Sequence, residues 1–187
     1  MRTRNESNKL AKECIVTALI ELMKTRDYNS ITITDLSKKA GVSRMAYYRN
    51  YTSKEDIISK FADEVGASIH EKLASLMPSA GVFDYFYELF AQLGAYSDLV
   101  LTAFHGGLGE LIHMQITKNM ALTFPPESNA PIDRYRHVYL AGAFYNIFIE
   151  WLENGKKESV KDMALLCRSL SCEGCRLSVP EGVKNHE

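Results

Sequence analysis

The stretch that decides the fold is Thr32-Ile-Thr-Asp35-Leu36-Ser-Lys-Lys-Ala40-Gly41-Val42-Ser43-Arg44-Met45-Ala46-Tyr47-Tyr48-Arg49-Asn50-Tyr51-Thr-Ser53-Lys54-Glu55-Asp56. Its opening, Ile31 to Thr34, alternates as a strand would, but no nearby segment offers a pairing partner. Thr32 followed by Asp35 instead has the form of a capping box, which predicts a short helix to about Ala40. Gly41 stops it, because glycine tolerates the left-handed turn past a helix end. Ser43 can cap a second short helix, about Arg44 to Tyr51, and Ser53 with Asp56 repeats the pattern for a third. Two short helices crossing about a glycine turn form a helix-turn-helix. Leu36, Ala40, Val42 and Tyr47 are spaced to face inward and fix the crossing, and the small Ala40 lets the helices approach.

In that arrangement the second helix enters the major groove of DNA. Arg44 can donate two hydrogen bonds to a guanine edge, and Met45 and Ala46 can meet a thymine methyl. Tyr48, Arg49 and Asn50 are placed to meet phosphates. Thr32, Thr34, Ser43, Ser53 and Lys54 can add hydroxyl, backbone or charge contacts at helix starts. Capping is an equally good use of Thr32, Ser43 and Ser53, and core packing is the better use of Tyr47. Charge agrees with a polyanion partner for this end. Residues 1–60 hold twelve Lys/Arg against seven Asp/Glu, and the rest hold ten against sixteen.

The surrounding chain reads as helix throughout. Leu10, Cys14, Ala18 and Leu22 form an apolar stripe over about 7–25, flanked by Val16, Leu19, Ile20 and Met23. Asp27 to Ser30 is a turn. A long helix is expected from Lys54 to Met77, stopped at Pro78. Further helices are expected over 82–93, 97–104, 108–123, 131–153 and 159–170, punctuated by glycine and proline. The fold class is therefore all-α, about nine helices, with a helix-turn-helix domain over residues 1–53 and a helical domain over 54–187.

The stretch from Ile31 to Ile58 resembles the N-terminal domain of the TetR family of transcriptional regulators. The likeness covers about residues 8–60 and rests on Ala40-Gly41-Val42-Ser43, Tyr48 and Ser53-Lys54-Glu55, with Tyr51 where the family usually has phenylalanine. Ser37 replaces the usual alanine, Ala46 the usual threonine, and Asn50 the usual histidine or tyrosine. Ala46 thus lacks a hydroxyl that would contact DNA, which bears on operator preference. Phe144 to Val160 is more loosely similar to a Firmicutes-type TetR C-terminal domain. The resemblance implies a homodimeric repressor released from its double-stranded operator by a small effector. The alternatives are an activator, or a regulator controlled by a partner protein.

The second half is rich in aromatic residues, and core packing is the default for any one of them. A pocket for a small hydrophobic or aromatic effector is expected among Phe86, Phe90, Phe104, His105, His113, Met114, Tyr145 and Phe148, with Gly106-Gly107 as a bend. Tyr139, Ala141, Gly142, Ala143 and Ile147, with Met163, Leu166 and Leu170, are expected to pair two copies as a four-helix bundle. An enzyme is disfavoured: the chain lacks HExxH, P-loop, GxSxG and dinucleotide motifs. No cofactor or metal is expected. Cys172 and Cys175 supply only two of the four ligands a zinc site needs, so they read as reduced thiols. No apolar run is long enough to span a bilayer, and Met1 to Leu10 lacks a signal peptide's apolar core, so a cytoplasmic protein is expected.

Overall fold

The structure, a computed structural model, describes residues 4–76, 81–123 and 131–173. The regular elements among them are all helical: α1 (Arg4–Met23), α2 (Ile33–Ala40), α3 (Arg44–Asn50), α4 (Lys54–Leu76), α5 (Val82–Ala95), α6 (Ser97–Ala103), α7 (Gly109–Thr123), α8 (Pro131–Glu153) and α9 (Val160–Glu173). A 3-10 turn, Tyr28–Ser30, follows α1. A π-helical turn, Phe104–Leu108, joins α6 to α7, and Gly107 at φ 84° supplies its bend. None of the described helices is long and apolar enough to cross a membrane.

The caps behave as the sequence implies. The Thr32 hydroxyl accepts from the Asp35 N–H at 3.1 Å, and the Asp35 carboxylate accepts from the Thr32 N–H at 3.1 Å. The Thr32 hydroxyl also donates to that carboxylate at 2.6 Å, and this bond holds the Asp35 carboxyl below its ordinary range. Ser53 caps α4 through the Asp56 N–H, and Ser159 caps α9 through the Asp162 N–H. Proline is tolerated at the start of α8 because a first-turn residue has no helical acceptor for its N–H.

One expectation is corrected in α1. Its buried stripe is Ile15, Ala18, Leu19 and Leu22, whereas Leu10 is exposed and Cys14 half-buried. A strict four-residue row winds around a helix of 3.6 residues per turn, so the seam facing the core alternates steps of three and four.

Helices α1, α2 and α3 pack together with the start of α4, whose Ile57 and Ile58 join the same core. Farther along, α4 runs against α5 and α7, and α9 lies along α5. Between α5 and α8, aromatic rings fill the interior. Phe90 meets Phe144 at 5.3 Å and Trp151 edge-on at 5.2 Å, and Phe144 stacks on Phe148 at 5.6 Å. The Trp151 indole N–H donates to the Glu158 carbonyl at 3.0 Å, so its burial leaves no orphan donor. Cys167 is buried here and its thiol is pushed up to about 12 by that burial, which keeps it unreactive. The Cys172 and Cys175 side chains and His186 lie outside the described residues.

Candidate nucleic-acid interface and effector cavity

The turn between α2 and α3 is built by two residues. Gly41 sits at φ 66°, ψ 28°, where a side chain would be strained. The Val42 N–H then reaches back to the Ser37 carbonyl at 3.0 Å, which closes the end of α2. Ser43 opens α3 by accepting from the Ala46 N–H at 3.1 Å. Leu36 and Tyr47 are fully buried where the helices cross, and Ala40 and Val42 pack half-buried against the same core. Burial raises the Tyr47 phenol to about 12. Its hydroxyl, and that of Ser37, are buried without a partner among the described residues.

Seven residues of α3 thus divide into two faces. Tyr47 and Asn50 turn inward, with Tyr51 just past the helix end. Arg44, Met45, Tyr48 and Arg49 form the outer face, and Met45 is 80% exposed. The Arg44 guanidinium lies over the Tyr48 ring at 5.9 Å from its centroid. Among the described residues no ion pair engages Arg44 or Arg49. Ala46 is half-buried beside this face, and Thr32 and Thr34 are exposed at the start of α2. A short helix presenting arginines and an exposed apolar side chain to solvent has the shape and charge for a DNA groove.

Two residues expected at phosphates turn inward. Asn50 is buried, and its amide donates to the Ala46 carbonyl at 2.8 Å and to the Asn8 side chain at 3.0 Å, which ties α3 to α1. The Lys54 ammonium donates to the carbonyls of Tyr28 at 2.6 Å and Ile31 at 2.8 Å, over the Tyr28 ring. Its charge goes where a 3-10 turn ends, as a cation is favoured at a helix C-terminus. Lys60 does the same for α3, donating to the Asn50 carbonyl at 2.6 Å. Glu55 completes the contact by accepting from the Tyr28 hydroxyl at 2.6 Å, a bond that lowers the carboxyl and raises the phenol. The start of α4 is therefore clamped to the helix-turn-helix. Lys60, Glu55 and Tyr28 went unread in the sequence, although two lysines six residues apart, each just past a helical turn, carry the signal.

The cavity lies elsewhere than expected. It lies between α4, α5, α6 and α7 and has a volume of about 80 Å³. Aliphatic residues dominate its wall, among them Ile58, Val65, Leu89, Leu99, Ile112 and Ile116. Of the eight expected pocket residues, only Phe148 lines it. Phe86 and Phe90 are buried in the ring cluster. Phe104 belongs to the π-helical turn, where His105 is exposed and bonds Glu153 at 3.0 Å. His113 meets Tyr145 with tilted rings 5.0 Å apart, and Met114 is 57% exposed. Large rings fill the space around themselves. Short side chains at Ala62 and Ala103 line the void, while the Asn119 side chain packs against Gly66.

On the opposite side, Ile132, Tyr135, Val138 and Tyr139 of α8 and Leu165 and Leu166 of α9 are exposed. Ala141 and Met163, expected to pair two copies, are instead buried within their own chain.

This geometry defines a helix-turn-helix DNA-binding protein joined to a helical half with an apolar cavity. Residues 15–60 match the family model described as bacterial regulatory proteins, tetR family. The chain is 26% identical over 174 residues to the HTH-type transcriptional regulator AlkX of Mycobacterium tuberculosis, covering 87% of this chain and 75% of that protein. Its fold superposes on a TetR transcriptional regulator from Streptococcus agalactiae with a TM-score of 0.63 at 18% identity, over 90% of this chain and 97% of that one. It also superposes on Thermus thermophilus FadR, a TetR-family repressor in complex with lauroyl-CoA, at 0.50 and 19%, over 93% and 100%. Residues 15–60 thus match the DNA-binding region of the TetR family, and the chain is a DNA-binding transcriptional regulator.

Proposed function

We propose that this regulator is a homodimeric repressor, released from its operator when an apolar effector enters the α4–α7 cavity. The observation that carries the reading is α4 itself. Its first turn is clamped to the reading head by Lys54, Glu55 and Lys60, and its middle supplies Ile58, Phe61, Val65 and Ile69 to the cavity wall. A ligand that displaces the wall moves the same rod that holds α3. The lining contains no Lys, Arg or His, so it suits an uncharged apolar body such as an acyl chain, the kind of group borne by the ligand of Thermus FadR.

In this reading residues 1–53 form the reading unit and 54–187 the effector and dimerisation unit. Arg44, Met45 and Ala46 meet base edges. Tyr48, Arg49, Thr34, Thr32 and Ser43 hold the backbone, the last two while also capping. Lys54 positions the head and does not touch phosphate. The exposed apolar residues of α8 and α9 pair the two copies, and two heads double the phosphate contacts. The protein works in the cytoplasm and performs no catalysis.

Selection of binding sites from random duplex DNA, followed by footprinting, tests the core of this proposal. Arg44→Ala should weaken the selected site by about 1–3 kcal/mol while leaving non-specific binding nearly intact. Equal loss on every sequence would remove Arg44 from the base-reading role.

A further inference from the structure

The cavity wall holds one polar group that the protein leaves unsatisfied. Gln115 projects from α7, and its Nε2 donates to the Ser59 hydroxyl of α4 at 3.1 Å. Its Oε1 is shielded from solvent and has no partner among the described residues. The other amide on this wall is engaged: Asn119 Nδ2 donates to the Gln115 carbonyl at 2.9 Å. The Thr123 hydroxyl likewise donates to the Asn119 carbonyl at 3.1 Å. The Tyr85 hydroxyl on this wall is engaged with Thr123, and the rest of the lining is carbon, including Ile112, Ile116 and Leu89. A buried carbonyl oxygen without a donor costs the folded protein stability, and groups of this kind in native structures usually serve a purpose.

We propose that the effector is a neutral, largely apolar molecule carrying a hydroxyl, and that Gln115 receives that hydroxyl inside the cavity. This rests on the α4–α7 cavity being the effector site. A hydroxyl suits the position whichever way the amide is turned. It donates to Oε1 as the side chain stands, and it would accept from the amide N–H if Ser59 bonded the oxygen instead. A carboxylate would bring a charge into a space whose lining contains no cation. A plain hydrocarbon would leave Oε1 unpaired in the complex as well. Gln115 is thereby a specificity-determining residue. It also bridges α7 to α4, so the group that reads the ligand touches the helix clamped to the reading head.

The test compares 1-decanol with undecane, which has the same number of heavy atoms, each delivered to the full chain from cyclodextrin. Trp151 is the single tryptophan of the chain, and its indole centroid lies 6.1 Å from that of Phe148 on the cavity wall. Its fluorescence, checked by thermal denaturation, reports occupancy. The decanol-to-undecane affinity ratio should fall about tenfold from the wild-type protein to Gln115→Leu, as expected for one buried hydrogen bond lost, because that comparison cancels the difference in hydration of the two probes. Gln115→Leu should still bind undecane. A ratio unchanged in Q115L would overturn the role of Gln115 and leave the cavity reading standing. Failure of both probes to bind the wild-type protein would remove the cavity as effector site and this inference with it. Should Q115L not fold, Gln115→Met decides in its place by the same ratio.

Discussion

The reading head and the effector half are built from the same helices but by different rules. In the head, position is set by directional bonds between polar atoms: Thr32 with Asp35, Ser43 with the Ala46 N–H, Lys54 with two carbonyls. Each such bond admits one geometry. In the effector half, position is set by the packing of apolar side chains against one another, and several arrangements of similar volume would serve. The head is therefore specified around a filled crossing at Leu36 and Tyr47, whereas the other half keeps a void of about 80 Å³.

The same truncation in both halves is the strongest way to break this contrast. Leu36→Ala, at a fully buried crossing, should cost about 2–5 kcal/mol in chemical denaturation and abolish DNA binding. Leu89→Ala borders space that is already empty, so it should fall at or below the lower end of that range while leaving operator affinity intact. Equal costs would mean that the cavity wall packs as tightly as the head.

A second comparison sets Lys54 against Arg49. Lys54→Ala leaves the Ile31 carbonyl without its donor and the Tyr28 carbonyl with only the Ile31 N–H, and should cost about 1–3 kcal/mol of stability. It should not change how steeply DNA affinity falls with salt. Arg49→Ala should be nearly silent in stability and lower the salt slope by about one. If the Lys54 variant shows the reduced slope instead, its ammonium reaches phosphate in the complex.

The smallest expected effect has the opposite sign. Ser37 carries a buried hydroxyl without a partner in the place where the family usually has alanine. Ser37→Ala should stabilise the protein by about 1 kcal/mol, read as a higher denaturation midpoint with unchanged slope. A loss of stability would mean that the hydroxyl has a partner the geometry does not reveal.

How much of this was legible beforehand follows the same divide. Helix boundaries could be read because caps and breakers are local: Thr32, Gly41, Ser53, Pro131 and Ser159 act within a few residues of themselves. The outer face of α3 could be read because Tyr47 and Leu36 fix which way it turns. Asn50 and Lys54 were misplaced because both look like phosphate ligands in one dimension. Only the fold brings Asn8 and the Tyr28 and Ile31 carbonyls to them. The cavity was illegible for a different reason. Helical periodicity tells that a residue faces inward but not whether a neighbour reaches it. Phe86 and Phe90, among the aromatic residues that drew attention, are buried in the ring cluster, and most residues around the void are ordinary aliphatic ones.

The clamp at the start of α4 also limits how freely the two halves can be exchanged. A chimera joined between residues 53 and 54 would carry Lys54 and Glu55 with the effector half and leave their acceptors and donors behind. Backbone carbonyls are supplied by any grafted head, so the lysine would find its place. The Glu55 bond is different, because it needs a tyrosine hydroxyl where Tyr28 stands. Heads with a tyrosine at that position should transplant with their response to the effector intact, and heads without it should bind DNA yet answer the signal poorly. Compatibility between modules is then a matter of one side chain, and it can be screened by inspection before any gene is built.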